Sequence, residues 1–155
     1  MDSPQNHIWG PHLWMILHSS AERIGLSQLK KLPQEESRIW TNLLSSLRYS
    51  LPCPQCKKHY TAYFASAPIT AVNRDFISTW LYNLHNQVNS RTGKTNTITL
   101  DKLHEIYSVP FHFSSHLGVV AEQMGRALRL GWCSREDIQR TMRFLQEMKR
   151  FYDFF

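Results

Sequence analysis

Apolar residues return every three to four positions along almost the whole chain, the period of helices that bury one face. The spacing predicts helices over about 11–26, 35–50, 54–66, 74–92 and 100–107, then two more over about 115–130 and 135–152. Pro33, Pro52 and Pro68 punctuate the first four, because proline lacks a donor and clashes with the preceding turn. Gly93 fits the position just past a helix end, and Gly131 closes the sixth segment. Ser134, three residues before Asp137, reads as a capping box that opens the last helix. Thr97-Ile98-Thr99-Leu100 is the only short alternating run, and there are no repeats or low-complexity tracts. The expected fold class is all-α.

A chain of 155 residues, 42% hydrophobic and 12% aromatic, is large enough for one domain with a real core. It has no apolar run of transmembrane length, and its first residues lack the basic start and apolar centre of a signal peptide. A cytoplasmic protein with no membrane partner is expected. The formal charge of +6 invites a nucleic-acid reading. Its densest basic set, Arg126 to Arg150, alternates with Glu122, Glu136, Asp137 and Glu147, as on an ordinary solvated face. No specific nucleic-acid partner is expected; attraction to an anionic partner is a milder use of the same charge.

Chemistry concentrates in three segments. Cys53-Pro54-Gln55-Cys56 places two of the three cysteines beside a predicted helix start, with Pro54 at the first helical position. The spacing permits a small, reversible disulfide ring. The helix N-terminus and the nearby Lys57 and Lys58 would favour thiolate on either cysteine. By itself a CxxC is a redox pair, half of a zinc site or two inert thiols. Cys53-x2-Cys56-x2-His59 has zinc-like ligands but lacks a fourth, so no metal is expected.

The second segment is His85-Asn86-Gln87-Val88-Asn89 with Gly93-Lys94. His85 and Asn89 share one helix face, a polar interruption among Phe76, Ile77, Trp80, Leu81, Leu84 and Val88. That face is either a solvated edge or a polar cluster with a partner. In the third, Gly10, Trp14 and His18 form one i, i+4 stripe. A gap, a flat ring and an imidazole suit a planar heteroaromatic ligand, or else a tryptophan-rich core helix with a satisfied histidine.

Taken in order, WGPxxWxxLH, PCxxCxxHY and WLxxLHNxVNxxxGK resemble the Erv/ALR family of FAD-linked sulfhydryl oxidases over roughly Trp9 to Lys94. The resemblance implies a four-helix bundle with a short fifth helix and FAD at one end, within residues 1–108. Residues 109–155 are then a helical extension. It implies catalysis by Cys53, attacked by the substrate thiol, and Cys56, which packs against the flavin. It implies FAD contacts from Gly10, Trp14, His18, Tyr60, His85, Asn86, Val88, Asn89 and Lys94. Trp80 is at a family position but suits plain core equally well.

The implied reaction is 2 R–SH + O2 → R–S–S–R + H2O2, with a protein thiol or a thiol adaptor as substrate. Pro11, where cellular members often carry arginine, resembles large-DNA-virus members and implies a host-cytoplasmic setting. A shuttle CxxC and a long-range disulfide are both missing, since only Cys133 remains. The family also implies a homodimer through the first two helices, which offer residues such as Ile16, Ile39, Trp40, Leu43, Leu44 and Leu47. The C-terminal stripes of Leu117, Val120, Met124, Leu128, Ile138, Met142 and Leu145 either cap the core of their own subunit or make a second contact that replaces the usual one. The competing reading is a basic helical interaction module whose CxxC is structural or metal-binding.

Overall fold

The structure, a computed structural model, describes residues 3–26 and 33–155. Its elements are α1 (Asn6–Ala21), α2 (Pro33–Ser50), α3 (Pro54–Ser66), α4 (Arg74–Arg91), a 3-10 turn (Leu100–Lys102) running into α5 (Leu103–Tyr107), α6 (Phe113–Arg129) and α7 (Arg135–Phe151). No strand occurs among the described residues. The all-α expectation holds.

Local chemistry explains most boundaries. Pro33 and Pro54 occupy first helical positions, where a missing N–H leaves nothing unpaired. Asn73 caps α4 by accepting the Phe76 N–H at 2.8 Å, and Ser134 caps α7 by accepting the Asp137 N–H at 3.2 Å. Gly93 takes φ +78°, and the Lys94 N–H reaches back to the Asn89 carbonyl at 2.8 Å, closing α4 in the Schellman manner.

The first helix departs from the spacing at both ends. It starts at Asn6, ahead of Pro11, because tertiary contacts hold the extra turn: Gln123 Oε1 accepts the Gln5 N–H at 2.7 Å, and Trp9 is buried. Pro11 therefore lies inside the helix. The helix stops at Ala21 and gives way to turns ending at Gly25, φ +79°, rather than running to 26.

The helices close a ring around one core. In packing order, α4 lies on α1, α1 on α6, α6 on α7, α7 on α2 and α2 on α3. Trp80 of α4 completes the circuit, meeting Tyr63 edge-on at 4.9 Å and donating its indole N–H to the Ala67 carbonyl at 2.8 Å. Phe113, Leu117, Val120 and Met124 of α6 and Leu145 and Met148 of α7 share the core of Leu13, Trp40 and Leu81.

This arrangement is the alternative in which the C-terminal helices cap the core of their own subunit. Ile16, Ile39, Trp40, Leu43, Leu44 and Leu47 are all at most 3% exposed within one chain. The main partners of α1 and α2 include α6 and α7 of the same chain. A second copy would have to pair through another surface.

Polar ties fix the extension in place. Tyr152 OH donates to Glu36 Oε2 at 2.5 Å and accepts the Trp40 indole N–H at 2.9 Å. Thr141 Oγ1 lies 2.8 Å from Ser46 Oγ and 2.5 Å from Ser50 Oγ, all buried. Arg23 donates to the carbonyls of Tyr107 (2.6 Å), Ser108 (3.2 Å) and Val109 (2.9 Å), clamping the turn that leads from α5 toward α6.

Candidate functional site

Cys53 is the N-cap of α3, in extended conformation, with its Sγ accepting the Cys56 backbone N–H at 3.2 Å. A second donor comes from the extra turn of α1, the Asn6 side-chain amide at 3.7 Å from the same sulfur. Asn6 is itself oriented, because its Oδ1 accepts the Trp9 indole N–H at 3.0 Å. Both CxxC cysteines are free thiols and half-buried.

The two sulfurs differ in environment. Burial pushes the Cys56 thiol up to about 12, with the neighbouring Cys53 adding to the shift and the charge of Arg91 opposing it. The expectation of easy thiolate on either cysteine therefore needs correcting for Cys56. Desolvation outweighs the helix N-terminus there.

The first-helix stripe and the α4 face meet. Trp14 and His85 stack at 4.0 Å with planes 6° apart, and His18 lies against both at 5.4 Å. His18 Nε2 and His85 Nδ1 are 3.2 Å apart. Burial, helped by His85, holds His18 down at about 3. Burial, helped by the charge of Lys94, holds His85 down at about 4. Both rings are neutral at neutral pH, so one donates and the other accepts. Tyr107 of α5 stacks on His18 at 4.7 Å.

On the side of α4 turned away from His85, Asn86, Gln87, Ser90 and Arg91 flank a shallow, open surface groove. The first helix contacts both motifs, with Asn6 at Cys53 Sγ and Trp14 and His18 against His85.

Several features suit a planar, polar-edged cofactor such as FAD. A Cβ added at Gly10 meets nothing within 4 Å. Nothing in the protein requires glycine at this mid-helix position, where it costs roughly 0.5–1 kcal/mol against alanine. The half-buried side-chain amides of Asn86 and Asn89 make no hydrogen bond to the described residues, which leaves them available to a ligand. Trp14, His18, His85 and Tyr107 provide stacked, uncharged rings. At 4.0 Å, Trp14 and His85 touch directly, so a ring inserted between them requires that they part.

The remaining expected contacts are Tyr60, Val88 and Lys94. Tyr60 is 4% exposed in the core, its hydroxyl donating to the Leu44 carbonyl at 2.6 Å and its ring meeting Phe64 and Trp80. Trp80 is core. The Val88 carbonyl accepts the Thr92 N–H at 3.0 Å, while Lys94 is exposed beyond the helix end. Among the described residues, no three His, Cys, Asp or Glu side chains gather as metal ligands. Cys133 is 5% exposed with its thiol pointed at the Leu51 carbonyl at 3.4 Å.

Sequence reading missed Asn6, Tyr107 and Arg91. Asn6 and Tyr107 lie outside the motifs and reach the site only through tertiary packing. Arg91 had a signal, since it follows Val88 by three residues on the same helix.

The Erv1 / Alr family profile matches residues 11–108, which hold the CxxC and the stacked histidines. The chain belongs to the Erv1 / Alr family. The match ends at Ser108, so α6 and α7 lie beyond it. This Erv1 / Alr chain is similar to a protein of frog virus 3 (isolate Goorha) named as an FAD-linked sulfhydryl oxidase. The two are 29% identical over 102 residues, covering 65% of this chain and 67% of the relative. Like-named proteins of invertebrate iridescent virus 3 and Acanthamoeba polyphaga mimivirus are also similar. The first is 29% identical over 106 residues (67% and 68% covered) and the second 30% over 90 residues (56% and 59%). No helix of the described residues is long and apolar enough to cross a membrane.

Proposed function

We propose that this chain is a flavin-linked thiol oxidase that makes disulfides in protein thiols, with O2 as the final acceptor and H2O2 as the product. The observation that carries this reading is that α1 meets both motifs: its Trp14 and His18 stack on His85, and its Asn6 donates to Cys53 Sγ. Family membership and the names of the viral relatives support it.

In the oxidised protein Cys53 and Cys56 are joined. A substrate thiolate attacks Cys53 Sγ, a substrate–Cys53 disulfide forms, the Cys53–Cys56 bond breaks and Cys56 leaves as thiolate. A second substrate thiolate then attacks the substrate sulfur of that mixed disulfide. The substrate disulfide forms, and Cys53 leaves with the electron pair. The N–H donors of Asn6 and Cys56 aim at Cys53 Sγ and favour its departure. Arg91 offsets part of the burial that opposes thiolate on Cys56. Bound FAD supplies an acceptor for the pair of electrons now on the cysteines and a route for them to O2.

Trp14, His18, His85, Asn86 and Asn89 would hold the cofactor, with Gly10 leaving room beside them and Lys94 offering a charge to its pyrophosphate. A thiol protein or thiol adaptor reaches Cys53 directly, and the setting is the cytoplasm of an infected host.

The test is spectral and kinetic. Purified protein should be yellow and should consume oxygen with dithiothreitol, releasing equimolar peroxide. Cys53→Ser and Cys56→Ser should each abolish turnover with flavin retained. A colourless protein that consumes no oxygen would favour the interaction-module reading.

A further inference from the structure

A second cleft, of about 410 Å3, lies between the end of α2, the first turns of α3 and the loop joining α6 to α7. Its walls include Arg48, Lys57, Lys58, Trp132, Cys133 and Asp137. It adjoins the cysteine pair. The Leu51 carbonyl accepts both the Cys53 N–H at 2.8 Å and the Cys133 thiol at 3.4 Å, so cleft wall and attacked cysteine hang on one oxygen. Lys57, one turn beyond Cys53, donates its ammonium to the Trp132 carbonyl and ties the α6–α7 loop to α3.

The charge of this cleft is not balanced among the described residues. No ion pair among the described residues involves Arg48, Lys57 or Lys58. Arg48 spends its guanidinium on Ser45, at 2.9 Å to the carbonyl and 2.7 Å to the hydroxyl, and lies over the rings of Tyr49 and Phe64. Lys58 is exposed. The one carboxylate in the wall, Asp137, already receives Arg140 at 3.0 Å. Three cations near one another, with no free carboxylate among the described residues of the cleft wall, favour an anionic partner.

The spread of those charges points to the kind of anion. Lys57 and Lys58 leave α3 about 100° apart, and Arg48 comes from a different helix. Scattered point charges flanked by aromatic Tyr49 and Trp132 suit successive carboxylates on a polypeptide better than one compact phosphate.

We propose that this cleft docks an acidic segment of the thiol protein that is oxidised, presenting a neighbouring substrate cysteine to Cys53. The proposal rests on the thiol-oxidase reading for its purpose, but the docking itself is measurable without turnover. It gives the helical extension a part in substrate choice, since Trp132 to Asp137 form one wall.

The experiment uses the flavin-loaded full chain and a fluorescent peptide with glutamates flanking two serines in place of cysteines. Anisotropy should show binding that weakens as salt rises, because exposed charges are screened. Lys58→Glu should weaken it by about fivefold, Arg48→Gln should also weaken it, and Lys58→Arg should restore it. The cysteine form of the peptide should show a higher KM in Lys58→Glu, and its kcat/KM relative to dithiothreitol should fall by about fivefold. Equal binding of glutamate and glutamine peptides would overturn the proposal. So would full competition by inorganic phosphate at the peptide's own concentration. Peptide binding with the expected mutant pattern, in a protein that oxidises no dithiol, would leave the docking site standing and sink the oxidase reading.

Discussion

Mild acid should destabilise this protein through His18, well above the pH at which its low-lying carboxylates titrate. His18 is 2% exposed and held at about 3 by burial first and by His85 second, against an ordinary value of 6.5. The unfolded chain takes up a proton as pH falls through about 6.5, whereas the folded chain refuses it until about pH 3. The stabilisation is therefore complete above the unfolded value and is lost progressively as pH drops toward the folded one. A pH of about 5 lies about 1.5 units below the unfolded pKa of His18, and with no proton bound in the folded state the loss is about 2 kcal/mol. His85, held at about 4 and more exposed, and His116, lowered by burial and by His12 and His112, act in the same direction. Glu35 and Asp101 are held below the usual carboxylate range and lose their contribution only at lower pH. The assay is urea unfolding near pH 7.5 and near pH 5, wild type beside His18→Gln. The variant should be less stable at neutral pH, but its loss on acidification should be smaller by about 2 kcal/mol. Equal acid losses in the two proteins would refute the argument.

Other outcomes follow from single contacts. Tyr152→Phe leaves the Trp40 indole N–H without its partner and the buried Glu36 Oε2 with the longer Gly25 N–H contact at 3.4 Å, at about 2–3 kcal/mol. Calorimetry should show a melting temperature lower by about 5–10 °C. Asn6→Ala removes one of two donors to Cys53 Sγ. At 3.7 Å this contact is worth about 1 kcal/mol, so an oxygen electrode should record dithiothreitol turnover slowed by about fivefold with flavin absorbance unchanged. Truncation after Ser108 uncovers the stripe of Ile16, Trp40 and Leu43, and light scattering should show more self-association than in the full chain.

The helices were legible because their period, prolines and caps are local. Pro54, Asn73 and Ser134 decide their ends with their own atoms. The start of α1 was not legible, because Gln123, over a hundred residues away, helps hold the turn ahead of Pro11. The same distinction divides the site. Gly10, Trp14, His18, His85 and Asn89 could be grouped from spacing on two helices, and Trp14, His18 and His85 do meet. Tyr60 has the right spacing, yet its hydroxyl is committed to the Leu44 carbonyl, a partner that spacing cannot show. Cys56 shows the limit for chemistry as well. Its position at a helix start argues for thiolate, and burial, visible only after folding, reverses the sign.

The helices beyond Ser108 connect these threads. An apolar face on α1 and α2 must be covered, and a second copy or a further segment of chain can cover it equally well. Here α6 and α7 do so, with Phe113, Met124, Leu145 and Met148 among the most buried residues of the protein. Covering the face with one's own chain has a geometric consequence that a dimer lacks. The connection between the two covering helices must pass close to the end of α2, which is where the CxxC begins. The Cys133 thiol and the Trp132 carbonyl contact Leu51 and Lys57 there. Helices that complete the core therefore also shape the approach to Cys53. Substitution of Trp132, the half-buried member of the Gly131–Ser134 loop, should alter which thiols are oxidised before it alters whether the chain folds. Steady-state comparison of peptide and dithiothreitol oxidation in Trp132→Ala, beside its melting temperature, would test this. A loss of stability with unchanged substrate preference would assign the loop to the core alone.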